Sequence, residues 1–187
     1  MNIKEGIEKR FSVRAFTKEV PDMKLISEIL KTANAAPSGG NIQPWKVYVL
    51  NEKAKNNLAK ETLQNFDTGV QEEIEYDIYP KPLGDEYKKR RYDCGADMYN
   101  ALSIEKDDLD SRFKQIRENY NFFGAPIGMI VTLDRSFGSN GWGHVGMFLE
   151  NLWLSAIHFG LGLCLQESWS IYPETVKKHI NHPDNEI

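Results

Sequence analysis

Arg10-Phe11-Ser12-Val13-Arg14-Ala15-Phe16 is the stretch on which the reading of this 187-residue chain turns. In an extended segment, side chains at i, i+2 and i+4 share one face. Arg10, Ser12 and Arg14 then point together, while Phe11 and Val13, with Phe16 beyond them, point into a core. Two guanidiniums and a hydroxyl converging on one side suit an anion such as a phosphate. The same alternation also fits a solvated edge strand carrying two surface arginines.

Working outward, the next informative stretch is Ala35-Ala36-Pro37-Ser38-Gly39-Gly40-Asn41-Ile42-Gln43-Pro44-Trp45. Glycine lets a backbone approach a ligand closely. Asn41 and Gln43 are again i, i+2, and a carboxamide both donates and accepts, so the pair suits the N–H and C=O edge of a heterocycle. A helix-stop loop leading into a strand explains the prolines and glycines equally well, and the Asn/Gln pair less well. A third stretch, Gly160-Leu161-Gly162-Leu163-Cys164-Leu165-Gln166-Glu167-Ser168-Trp169, contains a lone GxG. That pattern fits a helix stop better than a nucleotide fingerprint, because no GxxG follows and no GKS/T exists.

The apolar period places the remaining elements. Helices are expected over residues 3–9, 22–35, 52–65, 84–101, 107–121, 145–159 and 173–180. Asn2 is a possible N-cap for the first, Asp107 or Asp108 stands near the start of the fifth, and Pro173 suits the first position of the last. Strands are expected over 45–50 and 127–133, with a short one over 163–167. Residues 67–82 read as a loop and 136–143 as a Gly-rich loop. Mixed helices with few, widely spaced strands indicate an α+β, three-layer protein built as one domain over 1–187.

Composition narrows the function. Lys and Arg number 23 against 27 Asp and Glu, a net charge of −4, so the basic excess of a nucleic-acid binder is missing. The N-terminus is too charged for a signal peptide, and the uncharged run from Asn151 to Gln166 is too short to span a membrane. Cys94 and Cys164 form no CxxC pattern, so a reduced, cytoplasmic protein is expected. His179 and His182 lack a third ligand, so no metal site is expected. No nucleophile-and-base order stands out, and Cys164 reads as a small buried hydrophobe.

Taken together, Arg10 to Phe16 resembles the opening motif of the FMN-dependent nitroreductase superfamily, and Ala36 to Trp45 resembles its second hallmark. Phe122-Phe123-Gly124-Ala125-Pro126, Gly160-Leu161-Gly162 and Cys164 to Trp169 are similar to further family segments, the last as in the nitrobenzoate-reductase-like branch. The resemblance runs from residue 2 to about residue 185. The strand that usually follows in the family and joins the partner's sheet, and the basic segment after it, are not part of it.

The resemblance implies an antiparallel-dominated sheet flanked by helices, in an intertwined homodimer with one FMN at each of two interface sites. Arg10, Ser12 and Arg14 match positions that hold the phosphate, ribityl chain and pyrimidine edge. Pro37, Ser38, Gly39 and Asn41 match the loop that the partner protomer lays against the flavin. Gln166, Glu167 and Ser168 match the segment whose backbone N–H meets flavin N5. The implied reaction is NAD(P)H-dependent reduction of nitroaromatics, quinones or similar electrophiles in ping-pong fashion, with FMN carrying the chemistry and no catalytic side chain. The alternatives are a non-catalytic FMN-binding or storage protein, or the same fold with reductive dehalogenation or oxidation. Helix 145–159, apolar nearly all round, is expected in the dimer interface.

Overall fold

The computed structural model describes residues 2–187. Helix starts follow the side-chain caps that the sequence offers. Asn2 and Glu5 form a reciprocal capping box on α1 (Ile3–Lys9). Asp22 caps α2 (Met23–Ala33) and Asn51 caps α3 (Glu52–Thr68), which ends at the left-handed Gly69. Next come α4 (Asp85–Ala101), none of whose residues is buried, and α5 (Leu109–Arg117), capped by Asp108. α6 (Gly138–His158) is the longest helix, and Pro173 opens α7 (Pro173–Ile180).

Two strands, β1 (Trp45–Leu50) and β2 (Gly128–Leu133), pair antiparallel in a register running from Trp45 opposite Leu133 to Leu50 opposite Gly128. Their side chains alternate between two cores, as the period of a strand requires. Trp45 and Leu133, with Val47 and Val131, face a layer made by α2 and α6, where Ile29, Ala33, Val145, Phe148 and Leu152 are buried. Leu50 and Ile130, with Tyr48, face the opposite layer, where Leu58 of α3, Val176 of α7 and the aromatics Tyr120, Phe122, Trp169 and Tyr172 pack. The sheet is thus the middle of three layers.

The chain's last residues join the free side of β2. Ile187 and Leu133 exchange both backbone hydrogen bonds at 2.9 Å, and the Arg135 N–H donates to the Asn185 carbonyl at 2.8 Å. Between them Glu186 turns its side chain inward, fully buried. Its carboxylate accepts from Lys46 Nζ at 2.5 Å, Tyr48 OH at 2.8 Å and Thr132 Oγ1 at 2.6 Å.

Three expectations change. The Gly-rich loop 136–143 is a single turn, Arg135–Phe137, followed by the start of α6, so the helix begins at Gly138 rather than at residue 145. The reason is packing: a Cβ on Gly141 would come within 2.4 Å of Leu133 Cδ1 and 3.0 Å of Phe137 Cβ, so glycine here allows α6 to approach the sheet. The helix expected over 107–121 stops at Arg117 and tightens into a 3₁₀ stretch, Glu118–Gly124, in which Phe122 and Phe123 both take φ of 51°. Residues 163–167 form no strand; Leu163 contributes one carbonyl to the Val13 N–H at 3.2 Å.

Candidate functional site

The segment after α1 is extended at Arg10 and lies along residues 162–163. Gly162 makes that possible, because a Cβ there would sit 2.8 Å from Val13 Cγ2. Val13 packs inward as expected, but Phe11 does not: its side chain is 67% exposed. The two arginines lie over aromatic rings. The Arg10 guanidinium sits 4.4 Å from the ring centroid of Trp153 on α6, and that of Arg14 sits 5.8 Å from the ring of Phe123. Neither has a carboxylate or hydrogen-bond partner among the described residues. A ring face attracts a cation by about 0.5–2 kcal/mol without neutralising it. Trp153 also carries a buried, unpartnered indole N–H below Arg10.

Residues 166–168 are held from behind. Gln166 Nε2 donates to the Asn119 carbonyl at 2.9 Å, and Ser168 Oγ donates to Asn119 Oδ1 at 3.2 Å. Glu167 is exposed and accepts from Tyr76 OH at 2.8 Å, and the Tyr76 ring meets the edge of Trp142 with centroids 4.9 Å apart. Burial pushes the Tyr76 hydroxyl pKa well up, so it stays a donor. The side chains of 166–168 are thereby occupied, while their backbone N–H groups have no partner among the described residues. Burial also pushes up the pKa of the half-buried Cys164 thiol, against a smaller pull from Arg14.

The loop at 37–41 is built differently from its sequence reading. Gly40, Asn41 and Gln43 take φ of 59°, 55° and 52°, so the segment is a tight turn and the i, i+2 argument for Asn41 and Gln43 does not apply. Ser38 Oγ accepts from the Gln43 N–H at 2.9 Å, which closes the turn. Pro37 and Asn41 are exposed, and Gly39 rests against the His144 ring of α6. Among the described residues no hydrogen bond joins this loop to Arg10, Ser12 or Arg14, or to 166–168. The structure therefore ties the first predicted segment to the third through the Val13–Leu163 hydrogen bond, while the 37–41 loop meets α6 at His144.

Asn119, Tyr76 and Trp153 were missed by sequence reasoning. Only Trp153 carried any signal, as part of an apolar helix. His179 and His182 have ordinary partners, Glu61 at 2.8 Å and the Pro183 carbonyl at 3.0 Å.

Comparison with known proteins decides what these segments belong to. The model of the nitroreductase family matches residues 7–187. The chain belongs to the nitroreductase family. This family member is 34% identical to the 4-nitrobenzoate reductase of Nocardioides sp. (strain LMS-CY) over 95% of its own length and 73% of that protein's. It is 29% identical to the nitrobenzene nitroreductase of Ectopseudomonas oleovorans over 99% and 82% of the two chains. Among solved structures, the FMN and NADPH-dependent nitroreductase of Sphigopyxis sp. strain HMH superposes with a TM-score of 0.95 at 34% identity, covering 100% of this chain and 84% of that one. The FMN-dependent nitroreductase of Mycobacterium smegmatis, in complex with NADPH, matches with a TM-score of 0.91 at 25% identity over 98% and 82%. The fold, helices around a small antiparallel sheet, is that of these FMN-dependent enzymes. No helix among the described residues is long and apolar enough to cross a membrane.

Proposed function

We propose that this nitroreductase-family chain is an NAD(P)H-dependent FMN oxidoreductase that reduces nitroaromatics, quinones or similar electrophiles. The observation that carries this reading is the unpaired state of Arg10 and Arg14, set on a segment held against residues 162–163, a few residues before the free backbone N–H groups of 166–168. The donor set fits FMN: two full cations and a hydroxyl suit its phosphate and ribityl chain, and free N–H groups suit the acceptors of its ring edge. FMN, when bound, supplies hydride acceptance and release at its ring.

The protein's part is binding, orientation and charge. Arg10 and Ser12 hold the phosphate end. Arg14, close enough to act on Cys164, would hold a positive charge toward the pyrimidine edge of the ring. Asn119 fixes Gln166 and Ser168, so the backbone donors between them keep their direction. Pro37 and Asn41 are exposed, and the loop they share with Ser38 and Gly39 completes the pocket of a partner protomer in a homodimer. No side chain needs to act as acid or base, and donor and acceptor use one pocket in turn.

The test is steady-state oxidation of NADH and NADPH by FMN-loaded protein with 4-nitrobenzoate and with a benzoquinone. Turnover that depends on both FMN and acceptor, with parallel double-reciprocal lines, supports the reading. FMN binding without turnover leaves only a flavin carrier.

A further inference from the structure

Four basic residues stand in a row on α4, Lys88-Lys89-Arg90-Arg91. Three of them pair with carboxylates of the same helix: Lys88 with Asp85 at 2.9 Å, Lys89 with Asp93 at 2.6 Å, and Arg90 with Glu86. Arg91 has no carboxylate partner among the described residues. Its guanidinium lies 4.4 Å from the ring centroid of Tyr79 instead. Carboxylates are not scarce nearby. In the segment between α3 and α4, Glu72 accepts from the N–H groups of Glu174 and Thr175, Glu75 pairs with Arg135, and Asp77 pairs with Lys81 at 2.5 Å.

That segment contains no helix or strand, yet it is fixed at three points. Glu72 binds the start of α7, Glu75 binds the turn before α6, and Tyr76 OH donates to Glu167 at 2.8 Å. Tyr79 follows Tyr76 by three residues, so their Cα atoms are at most about 11 Å apart. Tyr76, Gln166 and Glu167 line one large cavity, and Tyr79 and Arg91 are not among its lining residues. Both are exposed. A free cation is thus mounted on a fixed loop, outside the space that residues 166–168 border.

An aromatic face orients a guanidinium and leaves its charge and its N–H fork free. A free fork matches the oxygens of a phosphate monoester. We propose that Arg91, seated on Tyr79, recognises the phosphate on the adenosine ribose of a reduced dinucleotide, and so makes this chain prefer NADPH to NADH as hydride donor. The proposal rests on the reading of 166–168 as the place where flavin and donor meet. A benzene-sized acceptor at that place ends near Tyr76, whereas a dinucleotide is long enough to run on past residues 76–79. NADH and NADPH differ only in this phosphate, so the preference reports on one contact.

Calorimetric titration of the FMN-loaded protein with adenosine 2′,5′-bisphosphate and with 5′-AMP tests this without turnover. The bisphosphate should bind the native chain at least about tenfold more tightly than AMP, and the difference should vanish in R91Q. Y79F keeps the ring face and should retain the difference; Y79L should lose most of it. In steady state, R91Q should raise the KM for NADPH about tenfold relative to that for NADH. Equal affinity for the two nucleotides in the native chain, or a difference that survives in R91Q, overturns the proposal. So does a change in R91Q confined to the KM ratio of 4-nitrobenzoate to nitrobenzene, because Arg91 then reads the acceptor's carboxylate. Absence of turnover with both donors counts against the oxidoreductase reading, while the titration still decides the role of Arg91.

Discussion

Replacing Glu186 by alanine removes the acceptor that ties the last residues to both strands. Three donors lose their partner. Lys46 is 53% exposed, so its ion pair contributes little and its ammonium returns to water. Tyr48 is half-buried and regains a water on one side. Thr132 is buried and keeps an unpaired hydroxyl. A hydrogen bond to a charged group contributes about 1.5–3 kcal/mol, and breaking a fully buried ion pair costs about 3–5 kcal/mol. With one cation solvated, the lower end applies, and E186A should lose about 3 kcal/mol. For a chain of this size that is a fall in Tm of about 6–12 °C. Denaturant unfolding should show a lower midpoint with an unchanged slope.

The pH dependence gives an independent reading. Burial alone would raise the Glu186 pKa, but the side-chain donors Lys46, Thr132 and Tyr48 outweigh it and hold the carboxyl below its ordinary value. Its contribution is then fully present above the unfolded carboxylate pKa of about 4.3 and is lost as the pH falls through the lower folded value. The stability gap between the native chain and E186Q should therefore close on acidification and be constant near neutrality. A loss under about 0.5 kcal/mol for E186A, typical of a surface change, together with a pH-independent gap for E186Q, would refute the reasoning.

Arg10→Gln and Arg14→Gln should each weaken FMN binding about tenfold to a hundredfold, the loss of one charge-assisted bond of roughly 1.5–3 kcal/mol, while the apo melting curves stay close to native. Fluorescence titration checks this, and unchanged affinity in both variants removes the anion site. Gly141→Ala should destabilise by about 1–3 kcal/mol through overpacking against Leu133, despite the better helix propensity of alanine, as a lower denaturant midpoint would show. Gly162→Ala pushes on Val13 and should reduce FMN affinity more than Gly160→Asn, which keeps a left-handed helix stop; isothermal titration of the two variants separates them. Tyr76→Phe removes the donor on Glu167 and should alter the flavin absorption band on binding while leaving Arg10 and Arg14 untouched; identical spectra would show that Tyr76 does not position this segment.

Much of the fold was legible because local chemistry and tertiary packing agree. Asn2 and Asp108 cap the helices whose starts they mark, and strands 45–50 and 128–133 follow their apolar runs. Reading failed where a distant contact decides. Glycines at 138, 141 and 143 look like a loop in isolation, yet they lie in α6, where Gly141 is selected by the proximity of Leu133. The i, i+2 spacing of Asn41 and Gln43 fails as a guide because nothing local announces φ above 50° at these residues, and the Ser38 hydroxyl that closes the turn acts five residues away. Arg10, Ser12 and Arg14 stand out in the sequence as a candidate anion site, but the rings beneath the two arginines do not. Trp153 and Asn119 lie far along the chain and carry no pattern of their own.

Those supports explain how the site keeps its charge. The chain has more carboxylates than cations, and many of its lysines and arginines find one: Lys46, Lys88, Lys89, Arg90, Arg117, Arg135, Lys177 and Lys178 all form ion pairs. A carboxylate beside Arg10 or Arg14 would hold the guanidinium equally well, but it would cancel the field that attracts a phosphate and would have to be displaced on binding. An aromatic face orients the planar group through its quadrupole and apolar surface while leaving the N–H fork free. The same logic governs 166–168, where Asn119 engages the side chains so that the backbone donors remain open. In both places neutral contacts position the groups and leave charge and N–H donors open, which supports the proposed reading in which a bound cofactor, rather than a side chain, does the chemistry.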